Sequence, residues 1–235
     1  MNMFFNSDYM IFNILAMVMS GIGYLVHTRL KSKFEYYGQI AIKSGLSGKE
    51  VAEQMLAHYG IFDVQVHESQ GMLSDHYNPL NKTVNLSSEV YHGRSIASAA
   101  VSAHECGHAV QHDTSYAMLQ LRSKIVPVVK IASLAQQFLL VFAFMLANTF
   151  PTLLLITIIA FMITTLFSLI TLPVEFDASK RALAWLDETG VAKSQEYEGA
   201  KDALKWAAMT YVAAALSSLV MLIFLILRYM SSDRD

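Results

Sequence analysis

Polarity along this chain changes in long blocks. Four apolar stretches, near residues 9–26, 125–147, 152–174 and 207–227, alternate with polar segments. Each comes close to or exceeds the roughly 18 apolar residues that cross a bilayer as a helix. The first carries no charge, whereas the second holds Lys130 with Gln136 and Gln137. All four are predicted to be transmembrane helices lying in the lipid bilayer. The first has no basic leader and no small-residue cleavage site after it, so it reads as a permanent anchor rather than a signal peptide.

The polar segments carry the orientation signal. Nine lysines and arginines lie between residues 28 and 124 and five between 174 and 206, while the short turn near Asn148 to Pro151 has none. Positive residues concentrate on the cytoplasmic side. Both large polar segments are therefore expected in the cytoplasm, with the two termini outside; Arg228 and Arg234 are the minority against this.

Within residues 28–124 the periods shorten to those of a small α+β unit. Ser47 and Glu50 form a capping-box pattern that opens a helix, which Gly60 closes. Phe62, Val64 and Val66 alternate with Asp63, Gln65 and His67 as a strand would. Asn78-Pro79 marks a turn before a second short strand near 82–86. From Ser95 to about His112 the chain is rich in alanine and poor in β-branched residues, which predicts a helix able to pack closely. The expected fold is mainly α and integral to a membrane, with four transmembrane helices and a small cytoplasmic α+β unit.

Composition agrees. Hydrophobic residues make up 54% of the 235 and charged residues 15%, against about 25% charged in soluble domains. A net charge of −2 offers no basic balance for a nucleic-acid partner. The single cysteine, Cys106, excludes an intrachain disulfide and fits a reducing compartment.

The alanine-rich helix carries the chemistry, in His104-Glu105-Cys106-Gly107-His108. Two histidines four apart share one helix face, with about 5–6 Å between β-carbons, so both imidazoles can reach one Zn2+ ion. Glu105 can then act as general base on a water that the metal activates, the H-E-x-x-H arrangement of zinc metallopeptidases. The small apolar flanks imply burial, and a buried His-Glu-His set without a metal leaves polar groups unsatisfied.

A catalytic zinc needs a third protein ligand and one open position. Gln111 and Thr114 stand where an extended motif would place glycine and histidine, and no L-D-G aspartate motif occurs. A glutamate from a second helix remains. Pro173 can begin a helix with Glu175 in its first turn, and two spans between His108 and Glu175 return the chain to the same side. Asp177 is the competitor, but it lies about 200° around the helix from Glu175 and four residues before Arg181. His112 reads as a residue behind the ligands, a substrate-side group or a surface histidine. An oxyanion donor is also needed; His76 and Tyr77 lead a field that includes Tyr91, His92, His112 and Tyr197. The strand near 82–86 is a candidate edge for an extended substrate.

Asp75-His76-Tyr77-Asn78-Pro79, Ser95-Ile96, Val101 through His112 and Leu172 through Arg181 resemble the YugP-type membrane zinc metallopeptidases, over residues 28–210 or so. The resemblance implies a multi-pass protein of the bacterial cytoplasmic membrane, zinc-dependent, acting as a neutral peptidase. More distantly the chain is similar to HtpX and the CAAX prenyl proteases. Those carry E-F-x-A-D, whose glutamate binds zinc and whose aspartate steadies a ligand histidine. Glu175, Phe176 and Ala178 match, but Ser179 replaces that aspartate, which leaves a serine hydroxyl or another group to orient His104.

The expected organisation is an N-terminal anchor (1–27), a cytoplasmic catalytic region (28–124), a transmembrane hairpin (125–174), a cytoplasmic segment with the third ligand (175–206), and a fourth transmembrane helix with its tail (207–235). Substrates would be peptides or membrane proteins; a homo-oligomer or another membrane partner stays open. The competing reading is a membrane scaffold or adaptor with a structural zinc closed by four protein ligands, which His112 or Asp177 could supply.

Overall fold

The computed structural model describes residues 7–71, 73–146 and 150–232. The turn expected near Asn148, and Arg234, lie outside them. In chain order the elements are α1 (Ser7–Gly38), α2 (Gly48–His58), β1 (Gln65–Ser69), β2 (His76–Asn78), β3 (Thr83–Ser87), α3 (Ser88–His92), α4 (Ile96–Asp113), α5 (Ala117–Met145), α6 (Pro151–Glu188) and α7 (Gln195–Ser232). They form two compact units, one from residues 1–26, 121–172 and 210–235, the other from 27–120 and 173–209.

The first unit holds the apolar lengths of α1, α5, α6 and α7. All four helices are long and apolar enough to cross a membrane. Phe12, Phe144, Ile158 and Leu225 are buried among one another, with the Phe12 and Phe144 rings 5.4 Å apart. Met17, Ile131 and Phe138 face outward and exposed, an apolar surface of the kind that a bilayer covers.

Three of these helices continue well past their apolar stretches, because their polar ends have a second core to pack into. In the second unit Phe34 and Tyr37 of α1, Trp185 and Leu186 of α6, and Ala200 and Leu204 of α7 join that core. Lys33 pairs with Asp202 at 2.6 Å, and the Tyr37 hydroxyl donates to the same carboxylate at 2.9 Å. The helix start read at Pro173 is not seen; α6 runs through that residue. Proline has no N–H to give the carbonyl one turn back and costs about 3 kcal/mol inside a helix. Full burial of Val174 and Ala178 just beyond it offsets that cost by packing.

At the centre of the second unit lies α4, buried along nearly its whole length. Ser95 caps it, accepting the Ser98 N–H at 3.1 Å. Helix α2 packs beside it through Val51, Ala52 and Met55, and opens with the capping box read from Ser47 and Glu50. Gly60 follows α2 at φ +72, a left-handed conformation that suits glycine. On α4, Gly107 fixes the approach of α6: a Cβ there would stand 2.5 Å from the Ala178 carbonyl oxygen, with backbone that cannot give.

The sheet has the order β1-β3-β2, with β1 parallel and β2 antiparallel to β3. Three sequence expectations change here. The first strand begins at Gln65, not at Phe62, because its partner begins at Thr83 and the pairing starts at Gln65↔Thr83. Phe62 stands 83% exposed before it. The tract before the Asn78-Pro79 turn is itself a strand, β2. Finally, β3 is central and paired on both sides, so it offers no edge to a substrate; β2 is the edge strand on that flank.

Candidate metal centre

Helix α4 presents His104 and His108 one turn apart, their rings 4.8 Å between centroids. The α6 segment, held close by Gly107, presents Glu175 to both. Its Oε2 lies 3.3 Å from His104 Nε2 and 3.5 Å from His108 Nε2. One ligand-type atom from each of the three residues lies within 4.8 Å of the others. The glutamate side chain is 3% exposed and the two histidines 12% and 10%, so the cluster is enclosed with a narrow face toward solvent on the histidine side.

Both imidazoles are gripped from behind. Gln111 Nε2 donates to the Val174 carbonyl at 2.8 Å and to the Asp177 carboxylate at 2.9 Å. Its Oε1 must then accept, and it faces His108 Nδ1 at 3.0 Å. His108 Nδ1 therefore carries the proton, which leaves a lone pair on Nε2 in the neutral ring. On the other histidine, Nδ1 meets the Ser179 hydroxyl at 3.1 Å. Burial opposes charge on His108, but the Glu175 carboxylate, with Glu105 behind it, outweighs burial and raises its pKa. Two Nε2 atoms facing one carboxylate oxygen call for positive charge between them, a proton or a metal ion, and two imidazole nitrogens with one carboxylate oxygen form the donor set that zinc prefers. The residues fit the ion.

Glu105 follows His104 on α4 and is buried. Its Oε2 accepts the Tyr77 backbone N–H from β2 at 2.9 Å, which ties the carboxylate to the outer edge of the sheet. Cys106 turns the other way. Its thiol donates toward the Ala52 carbonyl at 3.6 Å, and burial, then the Glu105 charge, push its pKa far up. It is a core residue and stays a thiol.

Comparison with known proteins decides the family. Residues 9–230 match the family described as "Putative neutral zinc metallopeptidase". The chain belongs to this family. The Bacillus subtilis (strain 168) protein named "Putative membrane protease YugP" is 40% identical over 222 residues, 94% of this chain and 98% of that one. No solved structure matches.

The remaining candidates from the sequence fall in different places. Asp177 is kept from the cluster by Arg181, whose Nε lies 2.6 Å from it, and by Gln111. His112 sits a turn beyond His108 with Nδ1 2.7 Å from the Tyr77 hydroxyl. His76 is exposed, and its Nδ1–H donates to the Ser74 carbonyl at 2.8 Å. With that bond made, Nε2 can donate to an anion only in the imidazolium form. Tyr91 and His92 lie on α3's side, with His92 3.2 Å from Glu68, and Tyr197 lies near Lys201 on α7.

Sequence reasoning missed Gln111. It entered only as a residue that breaks the extended motif, yet its position three after His108 puts it on the same helix face. That spacing was the available signal. Gln111→Leu, which removes the hydrogen bond to His108 Nδ1, is expected to weaken zinc binding by about 10–100-fold, read by competition with a chromophoric chelator; unchanged affinity would remove Gln111 from the account.

Proposed function

We propose that this protein is a membrane-embedded zinc metallopeptidase that hydrolyses peptide bonds, with His104, His108 and Glu175 holding the metal and Glu105 as general base. The observation that carries it is the buried three-donor cluster with Glu105 on the same turn of α4. Zinc held there supplies Lewis acidity and lowers the pKa of water toward about 7.

The chain's own residues do the rest. Glu105 takes the proton from the attacking water and returns it to the leaving amine, while the Tyr77 N–H keeps its carboxylate aimed. Gln111 holds His108 with its proton on Nδ1 and its Nε2 turned inward, and the Ser179 hydroxyl holds the His104 ring from behind. Glu175, behind two histidines, has the place of the third ligand. His76, as imidazolium, is the donor proposed for the oxyanion.

A scaffold with a structural zinc would need a fourth protein ligand. Among the described residues the cluster has three, and both reserves, His112 and Asp177, are engaged elsewhere. The purified chain is therefore expected to hold about one zinc, and Glu105→Gln to keep that zinc while losing about 10²–10⁴-fold in peptide hydrolysis. Cleavage as fast as wild type would overturn the assignment of the base.

The positive residues of 28–124 and 174–206 support an active site on the cytoplasmic face of a bacterial plasma membrane. Phe62 is 83% exposed and Cys106 fully buried, so Phe62→Cys gives one reactive thiol. A membrane-impermeant maleimide should label it in inside-out vesicles and not in intact spheroplasts; the reverse pattern would invert the topology.

A further inference from the structure

One turn beyond the histidines, α4, Tyr77 of β2 and the loops that lead into β1 and β3 line an open recess of about 190 Å³. Its walls include Asp63, Tyr77, Lys82, Ala109, His112 and Asp113. Two of these residues join it to the metal centre. Ala109 directly follows His108, and Tyr77 gives its backbone N–H to Glu105 while its side chain lines the recess. A peptide lying along β2 with its scissile bond at Glu105 would thus set a neighbouring side chain at the mouth of this space.

The lining is charged, and the charges do not cancel. Lys82 pairs with Asp63 within the lining. Tyr77 and His112 satisfy one another through the hydroxyl and Nδ1 at 2.7 Å. Asp113 is left over: among the described residues no cation pairs with it, and it stands exposed at the end of α4. The excess is felt inside, where burial first, then Asp63 and Asp113, push the Tyr77 phenol up to about 12. Space for about six waters, at about 30 Å³ each, is room for one long side chain.

We propose that this recess is a specificity pocket for a basic substrate residue, lysine or arginine, next to the cleaved bond, with Asp113 as the carboxylate that pairs its charge. The inference rests on the peptidase reading above for the term "substrate", but the pocket can be tested without catalysis. Tyr77 and His112 form a wall along which the aliphatic stem lies, and the Lys82–Asp63 pair, its charges already matched, forms another part of the lining. An acidic side chain entering the same space would meet Asp113 without a counter-charge.

The test uses the full zinc-loaded chain in detergent and a set of internally quenched peptides that differ only in carrying Lys, Arg, Ala or Glu beside the bond. Wild type should favour Lys and Arg over Ala, and Ala over Glu, at one flanking position. Asp113→Asn should lower the Lys-to-Ala ratio of kcat/KM about fivefold, and Asp113→Lys should turn the preference toward Glu. Binding of the same peptides to the Glu105→Gln chain, followed by fluorescence anisotropy, should show the same order and the same inversion. Cleavage whose ratio neither Asp113 variant moves, or a wild-type preference for Glu, overturns the pocket. An ordered, invertible binding series without cleavage supports the pocket and overturns the peptidase reading instead.

Discussion

Everything at the candidate centre depends on how closely α4 and α6 approach. Gly107 allows it: the Ala178 carbonyl occupies the space where a Cβ would be. Residues on either side of that contact are the ones that meet. His104 and His108 flank Gly107 on α4, and Glu175 and Ser179 flank Ala178 on α6. A methyl group at 107 would stand 2.5 Å from the Ala178 carbonyl oxygen, so the two helices would have to move apart at the point where the donors meet. Fully buried alanines around the contact, Ala103, Ala178 and Ala182, show that small residues serve this approach along its length.

Around the three donors lies a layer that sets proton positions. Arg181 fixes Asp177, Asp177 and the Val174 carbonyl fix the Gln111 amide, and Gln111 fixes the His108 tautomer. Each link has one orientation that satisfies it, so the chain of bonds ends with His108 Nε2 directed at Glu175. The Ser179 hydroxyl holds the other ring from behind, 3.1 Å from His104 Nδ1.

Much of this was readable from residue order. Blocks of apolar residues marked the long helices, the capping box at Ser47 marked α2, and four-residue spacing put both histidines on one face. Glu175 and Asp177 could be told apart because their helix angles differ and Arg181 lies one turn after Asp177. What escaped depended on partners distant in sequence. Whether β1 begins at Phe62 or Gln65 is settled by where β3 begins, and β3's central place cannot be seen from its own residues. Pro173 looked like a helix start because local propensity says so, while burial of Val174 and Ala178 keeps α6 whole. Gln111 looked like a departure from a motif; its meaning appeared only once Val174 and Asp177 stood beside it.

The central claim, a centre assembled from two histidines of α4 and one glutamate of α6, is tested most directly by zinc-edge X-ray absorption on the full chain. The account predicts two imidazole nitrogens at about 2.0–2.1 Å, oxygen ligands at about 2.0–2.2 Å and no sulfur. Scattering from sulfur at about 2.3 Å, or from four imidazole nitrogens, would contradict it.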